Sequence, residues 1–404
     1  MGKALPLEGV RVIALEQAVA GPLSSRHLAD LGAEVIKVER IDGGDFARDY
    51  DAFVHGQSSH FVWLNRGKKE RRTGPEIGRR AQNPSAIAKG GRRVLSNLGP
   101  GAVDRIVSDD ELVALNPELI RCIISGYGPD GPYEHRKAFD LLVQGEAGVT
   151  TSTGEIGRPA KPGVSLADLG AGIYATTAIL AALRGRERSG SGDRIHIAMF
   201  DVMVEWMSPL LLAYREAGVE IEPAGTRHAT ITPYGPFETR DGKMLNIAVQ
   251  NDRQWASLCN VLGLSSLAAQ PDLATNKGRL AKREFVEKSV SDAIGLRNQA
   301  DVASDLERAG IPLGSLNSVA DVAHHPQLEG GRRWEKVVLP SNETVSVIAS
   351  PFRVEGNSTM KRIPALGEST VSLLSELGYS TAETTQFLSD GVVGVGGAAS
   401  VFPA

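Results

Sequence analysis

The sequence is poor in several residue types that would narrow its function at once. Its 404 residues hold 2 cysteines, Cys122 and Cys259, far apart and with no CxxC pair. That excludes a disulfide framework and a thiolate metal site and fits a reducing compartment, so a cytoplasmic location is expected. Aromatic residues make up 5% of the chain and the formal charge is −4, which leaves no global field or stacking surface for nucleic acid. No nucleic-acid partner is therefore expected. By this reading no run reaches the ~18 apolar residues of a membrane span. Pro6 and Glu8 also stand where a signal peptide needs its apolar stretch, so the expectation is neither export by that route nor insertion into a membrane. No GxGxxG follows the first strand pattern, so a nicotinamide enzyme lacks its phosphate loop. None of the 8 histidines shows a metal-binding spacing; no metal is expected, and His324-His325 reads as a polar helix end. There is no internal repeat.

What is present is apolar residue enough for a large core, 42% of the chain, with 45 glycines and 21 prolines to make turns and close backbone approaches. The length suits two or three folding units. Residues 10–15 (VRVIAL) form a short continuous apolar run, the pattern of a strand buried on both faces of a parallel sheet. A Gly-Pro loop, helical spacing over 23–31 and a second strand over 34–39 complete a βαβ unit. Further strands are expected at 119–125 and 193–200. A largely buried helix is expected at 171–184, where small residues permit close packing, and a second long helix at 202–217. The texture changes near residue 220, with a strand at 243–250 and helices at 254–262, 285–294 and 301–309. Strands return at 336–339 and 343–348, followed by a helix near 371–377. Domain boundaries are placed accordingly: 1–224 as the first part of a large domain, 225–325 as a small domain, and 326–404 as a return to the large one. The tail from 391 onward is expected to fray.

One segment does not fit an α/β domain. Residues 67–95 carry nine Lys or Arg against two Glu, with no sustained period of 2 or 3.6, and read as a solvated loop. The alternative is a basic patch for polyanions, although it has no interleaved aromatics that would stack on bases.

Six blocks in order carry a family resemblance: PLEGVRV at 6–12, AGP at 20–22, LGAEVIKVE at 31–39, NLGPGA at 97–102, ADLGAG at 167–172 and PALGEST at 364–370. Together they resemble the family III CoA-transferases, a superfamily that also holds α-methylacyl-CoA racemase. The resemblance implies an α/β fold: a Rossmann-like large domain built from both chain ends, a smaller middle α/β domain, and an interlocked homodimer. It also implies that Asp168 is the nucleophile. Asp168 would attack an acyl-CoA thioester to give an aspartyl mixed anhydride and then an aspartyl-CoA thioester, with no permanently bound cofactor and CoA present only as substrate. Asp168 stands at the start of a helix, and the helix dipole is expected to favour its ionised form. By position, CoA contacts are implied at Arg40, Asn97, Leu98, Ala102, Arg105 and Lys137, where cations would meet the CoA phosphates.

The chain departs from the family pattern twice. Where many members carry an apolar strand and a helix that helps hold the adenine, it carries the basic segment; one account is a pair of compensating reading-frame shifts across roughly 70–94. Where racemases carry a proton-shuttling histidine, it carries Phe139, which cannot move a proton. That favours transferase over racemase, with His135 nearby in sequence keeping the racemase as the alternative. Asp140 reads either as a helix-start residue or as a second acid of the site. The block 131–145 looks most like members acting on dicarboxylates of four or five carbons, for which His135, Arg136, or Arg227 with His228, could pair the free carboxylate.

Overall fold

The structure is a computed structural model and describes residues 4–73, 93–98, 108–330, 333–352 and 360–396. Its contacts divide the chain into two compact units. One comprises Met1–Ala147, Gly163–Ser208 and Gly331–Ala404; the other comprises Gly148–Pro162 and Pro209–Gly330. The sequence boundaries at 224/225 and 325/326 both fall inside the second unit.

The first unit is organised by a seven-stranded sheet. Strands β1 (Arg11–Leu15), β2 (Glu34–Arg40), β3 (Lys69–Thr73), β4 (Arg93–Ser96), β5 (Ile120–Ser125) and β6 (Asp193–Ala198) lie in the order β3-β2-β1-β4-β5-β6, all parallel. Val393–Gly394 adds an antiparallel edge against β3. The run VRVIAL becomes β1 because both its faces are covered: Val12, Ile13, Ala14 and Leu15 are all buried. Sequence order reverses between β1 and β4, the position where an open α/β sheet leaves a crevice at its strand ends.

Helices α1 (Ala20–Asp30), α2 (Ser59–Asn65), α3 (Asp109–Leu115), α4 (Asp140–Glu146), α5 (Leu166–Ser189) and α6 (Met199–Trp206) belong to this unit. The 24-residue α5 packs against α1, α4, α6, β5 and β6. Two glycines permit it. A Cβ at Gly172 would come within 2.8 Å of the Ala20 carbonyl, and one at Gly170 within 2.7 Å of Val202. Contrary to the sequence expectation, α5 is long and apolar enough to cross a membrane by length and composition, with 44% of that stretch buried in the fold.

The second unit holds an antiparallel sheet of β7 (Tyr234–Glu238), β8 (Met244–Ala248) and β9 (Leu313–Ser315), with β8 in the middle. Helices α7 (Asp252–Val261), α8 (Arg283–Gly295) and α9 (Gln299–Arg308) close a core around Phe237, Ile247, Trp255, Leu258, Val290 and Leu306.

Three other sequence expectations are corrected. The helix foreseen over 202–217 is two, α6 and Ser208–Ala217, because Pro209 has no N–H to donate to the carbonyl four residues back. The ends of the basic segment are strands β3 and β4, since pairing with β2 and β1 overrides the missing periodicity; its middle, 74–92, lies outside the described residues. The tail is not wholly frayed, since Val393 is buried and pairs with Thr73. His324 and His325 do mark helix ends, His325 accepting the Gln327 N–H at 3.1 Å.

Candidate active site

The β1–α1 loop at the switch point is held from every side. Asn97, just past β4, accepts the Gln17 N–H at 2.9 Å and donates its amide to the Gln17 carbonyl at 2.7 Å. Ala18 is a non-glycine residue at φ +61°, its N–H held by Asp45 at 3.0 Å, a conformation that persists only when its surroundings over-determine it. Beneath the loop lies a fully buried charge cluster: Glu16 accepts from Lys68 at 2.7 Å and Ser25 at 2.9 Å, while Lys37 meets Asp45 at 2.8 Å and Glu16 at 3.5 Å. Burial opposes the Glu16 anion, yet Lys68 and Lys37 hold its carboxyl below the usual range. Burial drives the Lys68 ammonium down to about 8, against the pull of Glu16. The sequence reading missed this cluster. Its one signal is Lys37 between Val35-Ile36 and Val38 in a strand pattern.

Asp168 stands in the first turn of α5, partly buried, in the same neighbourhood as Asp140. Asp140 opens α4 and is itself buried; its Oδ1 accepts the N–H groups of Ala167 at 2.9 Å and Asp168 at 3.3 Å, and its Oδ2 accepts from Gln144 at 2.6 Å. Ser165, at the N-cap of α5, makes no side-chain cap, so Asp140 satisfies first-turn donors from a different helix. The helix-dipole expectation for Asp168 is thereby overturned. Burial first, and the Asp140 charge second, push its carboxyl up to about 7. The N–H groups that would have favoured the Asp168 anion already serve another carboxylate.

Tyr50 borders the same site: burial, then the charges of Asp45 and Asp168, raise its phenol to about 12. Leu169 and Trp63 both pack on the cluster formed by Val19, Leu23 and Leu64.

The remaining expected residues are dispersed. Arg40 ends β2 exposed, its Nε 3.2 Å from the Gly44 carbonyl. Leu98 packs on the Ile13 and Leu15 cluster, whereas Ala102 and Arg105 lie outside the described residues. Lys137 is exposed in the loop before α4, and His135 in the same loop lies 3.2 Å from Glu134. Their neighbour Arg136 is anchored by Glu146 at 2.9 Å and lies 4.5 Å over the Tyr133 ring. Phe139 is 63% exposed at the entrance of α4. In the second unit, Arg227 and His228 line a cavity of about 510 Å³ with Tyr234, Asn246 and Leu313. Arg227 faces Glu287 at 3.4 Å and covers Phe237; His228 stacks on Tyr234 and accepts the Thr230 N–H through Nδ1.

The model of the family described as CoA-transferase family III matches residues 7–370. A succinate–glutarate CoA-transferase of Agrobacterium fabrum is 34% identical over 388 residues, covering 92% of this chain and 96% of that protein. An acetyl-CoA:oxalate CoA-transferase of Acetobacter aceti is 33% identical, covering 83% of this chain and 88% of its own. The crystal structure of a CAIB/BAIF family protein from Brucella suis is similar with a TM-score of 0.78 at 32% identity, covering 93% of this chain and 100% of that one.

Proposed function

The chain belongs to CoA-transferase family III and is a CoA-transferase, and on that premise we propose that it moves CoA from an acyl-CoA thioester to a short dicarboxylic acid, with Asp168 as nucleophile. The observation that carries this reading is the state of Asp168: a desolvated carboxylate at a helix start, raised to about 7 and so more basic and more nucleophilic than an ordinary aspartate. The substrate class draws support from the relatives named for succinate, glutarate and oxalate.

The chemistry follows with no net proton change. An Asp168 oxygen attacks the thioester carbonyl, the C–S bond breaks, and CoA leaves as thiolate from an aspartyl–acyl anhydride. The thiolate attacks the aspartyl carbonyl, the donor acid departs as carboxylate, and an aspartyl-CoA thioester remains. The acceptor carboxylate displaces CoA to form a second anhydride, and the thiolate attacks the acceptor's acyl carbon, which frees Asp168. Each addition creates an oxyanion that needs preorganised donors. Asp140 occupies the N–H groups of Ala167 and Asp168, so those two are not available as such donors. The sequence reading of a cytoplasmic homodimer belongs to this proposal too, and the free, buried Cys122 and Cys259 are compatible with a reducing compartment.

The test is a mass-spectrometric transfer assay with succinyl-CoA and a panel of short acids, run beside Asp168→Ala. New acyl-CoA species are expected from the wild type, with a loss of roughly 10⁴-fold or more in the variant. Transfer at the wild-type rate in Asp168→Ala would remove Asp168 from the mechanism.

A further inference from the structure

The transfer steps above use Asp168 and leave one buried side chain near it without a task. Gln144 lies one turn along α4 from Asp140 and is fully buried. Its Nε2 donates to Asp140 Oδ2 at 2.6 Å, while its Oε1, also buried, has no hydrogen-bond partner among the described residues. On an exposed helix, a Gln–Asp pair four residues apart is an ordinary and weak local contact. Inside the protein the same pair is costly, because half of the amide stays unpaired where an apolar side chain of the same size would leave nothing unpaired. Packing alone gives no reason for a glutamine at this position.

The task follows from where Asp140 points. Its other oxygen, Oδ1, leaves its own helix and accepts the N–H groups of Ala167 at 2.9 Å and Asp168 at 3.3 Å in α5. Asp140 is buried and α4 packs on α5, so this carboxylate spans two helices with donors on both oxygens. Asp168 is in the opposite position, since the influences on its carboxyl are burial and the Asp140 charge. Of two neighbouring acids, the one supplied with donors carries the charge at lower cost. Charges on the surrounding elements have other partners. Arg26 and Asp30 of α1 lie 3.8 Å apart as a pair, Glu205 of α6 takes the Tyr174 hydroxyl, and Tyr50, ahead of α2, feels the Asp168 charge.

We propose that Gln144 is a positioning residue for CoA transfer: its amide holds Asp140 against the first turn of α5, so that Asp140 keeps the negative charge of the pair and Asp168 is left as the basic, attacking carboxyl. The inference rests on the reading of Asp168 as nucleophile. Gln144 makes no bond to Asp168 itself and acts through Asp140. Without the amide, Asp140 Oδ2 loses the donor that the structure gives it and becomes a desolvated carboxylate oxygen. The charge is then shared more evenly between the two acids. Asp168 ionises at lower pH and attacks as a weaker nucleophile.

The experiment is a double-mutant cycle of wild type, Gln144→Met, Asp140→Asn and the two substitutions together. Each protein is assayed for kcat/KM with succinyl-CoA as donor and the short acid that the wild type uses fastest as acceptor, from about pH 5.5 to about 8.5. Methionine matches glutamine in length and donates no hydrogen bond. Gln144→Met is expected to lower the plateau kcat/KM by about 10-fold, the usual size for one hydrogen bond to a charged group, and to move the inflection to lower pH, as Asp140→Asn does. In the Asp140→Asn background the same substitution should cost less than about threefold, because the charge it serves is gone. A packing role would cost the same in both backgrounds and leave the inflection in place; either result would overturn the inference while Asp168 stays the nucleophile. Transfer at the wild-type rate in Asp168→Ala would refute the nucleophile reading and this inference with it. Should Gln144→Met fail to fold, Gln144→Asn, whose amide is one methylene too short to reach Asp140, decides by the same two readouts.

Discussion

Asp168 stands in the first turn of α5, yet the backbone N–H groups of that turn serve another carboxylate. Asp140 holds the first-turn donors of α5, and Asp168 is left desolvated beside a negative charge. The sign of the consequence is fixed. A carboxyl raised from 3.8 to about 7 is mostly protonated below neutrality and ionised above it. If the Asp168 anion is the attacking species, kcat/KM for the acyl-CoA donor rises with pH through about 7 and levels above it. Asp140→Asn keeps an oxygen able to accept the Ala167 N–H but loses the charge. Its inflection should move to lower pH while staying above that of an ordinary aspartate, because burial is the larger cause. A pH profile measured from 5.5 to 8.5 checks this (range chosen to bracket the inflection by about one unit or more on each side); an unmoved inflection in the Asn variant would show that Asp140 acts through shape alone. At this scale the sequence was informative only where chemistry is written locally. The ADLGAG block pointed to Asp168, but the Asp140 cap joins residues 27 apart and the Glu16–Lys68 pair residues 52 apart, separations that no local pattern encodes.

Among elements, α5 shows why some helices are legible and some strands are not. Its alanines and glycines announced close packing, and the structure places Gly172 against the backbone of Ala20 and Gly170 against Val202. A Cβ at 2.8 Å from a carbonyl oxygen cannot be relieved by a rotamer change. Gly172→Val should therefore push α1 from α5 and cost about 1–3 kcal/mol, read as a lower urea midpoint. Stability equal to the wild type would mean that α1 yields more easily than its burial implies. The strand β3 is the opposite case. Its residues KERRT have none of the apolar character of a buried strand, yet Glu70 is buried: one carboxyl oxygen accepts the Gly367 N–H, and the other has no hydrogen-bond partner among the described residues. Burial and then Glu39 raise the Glu70 carboxyl to about 8. Pairing with β2 places this strand, not its own composition, which is why periodicity read it as a loop.

For the whole molecule, the question is what makes distant parts of the chain one folding unit. The expectation that both chain ends share a domain came from resemblance, since neither composition nor periodicity can say that residues 300 apart meet. The structure supplies the physical link in Arg66. Its guanidinium is fully buried, 2.7 Å from Asp30 and 2.6 Å from Glu335, and it donates to the Ile348 carbonyl at 3.1 Å. Lys361 also pairs with Asp30, and Phe61 and Val62 of α2 pack with Val337, Leu339 and Ile363. A cation in this position stabilises little by charge alone, because desolvation offsets much of the attraction. Removing it, however, leaves Glu335 without its buried counter-charge and Asp30 with Lys361 as its main remaining partner. Arg66→Met should lower stability by about 3–5 kcal/mol. The loss should also be local to the first unit: hydrogen exchange of the β1 and β2 amides should quicken, while β7 and β8 in the second unit keep their protection. If β7 and β8 lost protection to the same degree, the two units would unfold as one cooperative body, and the contact-defined division of the chain would not be a division in its energetics.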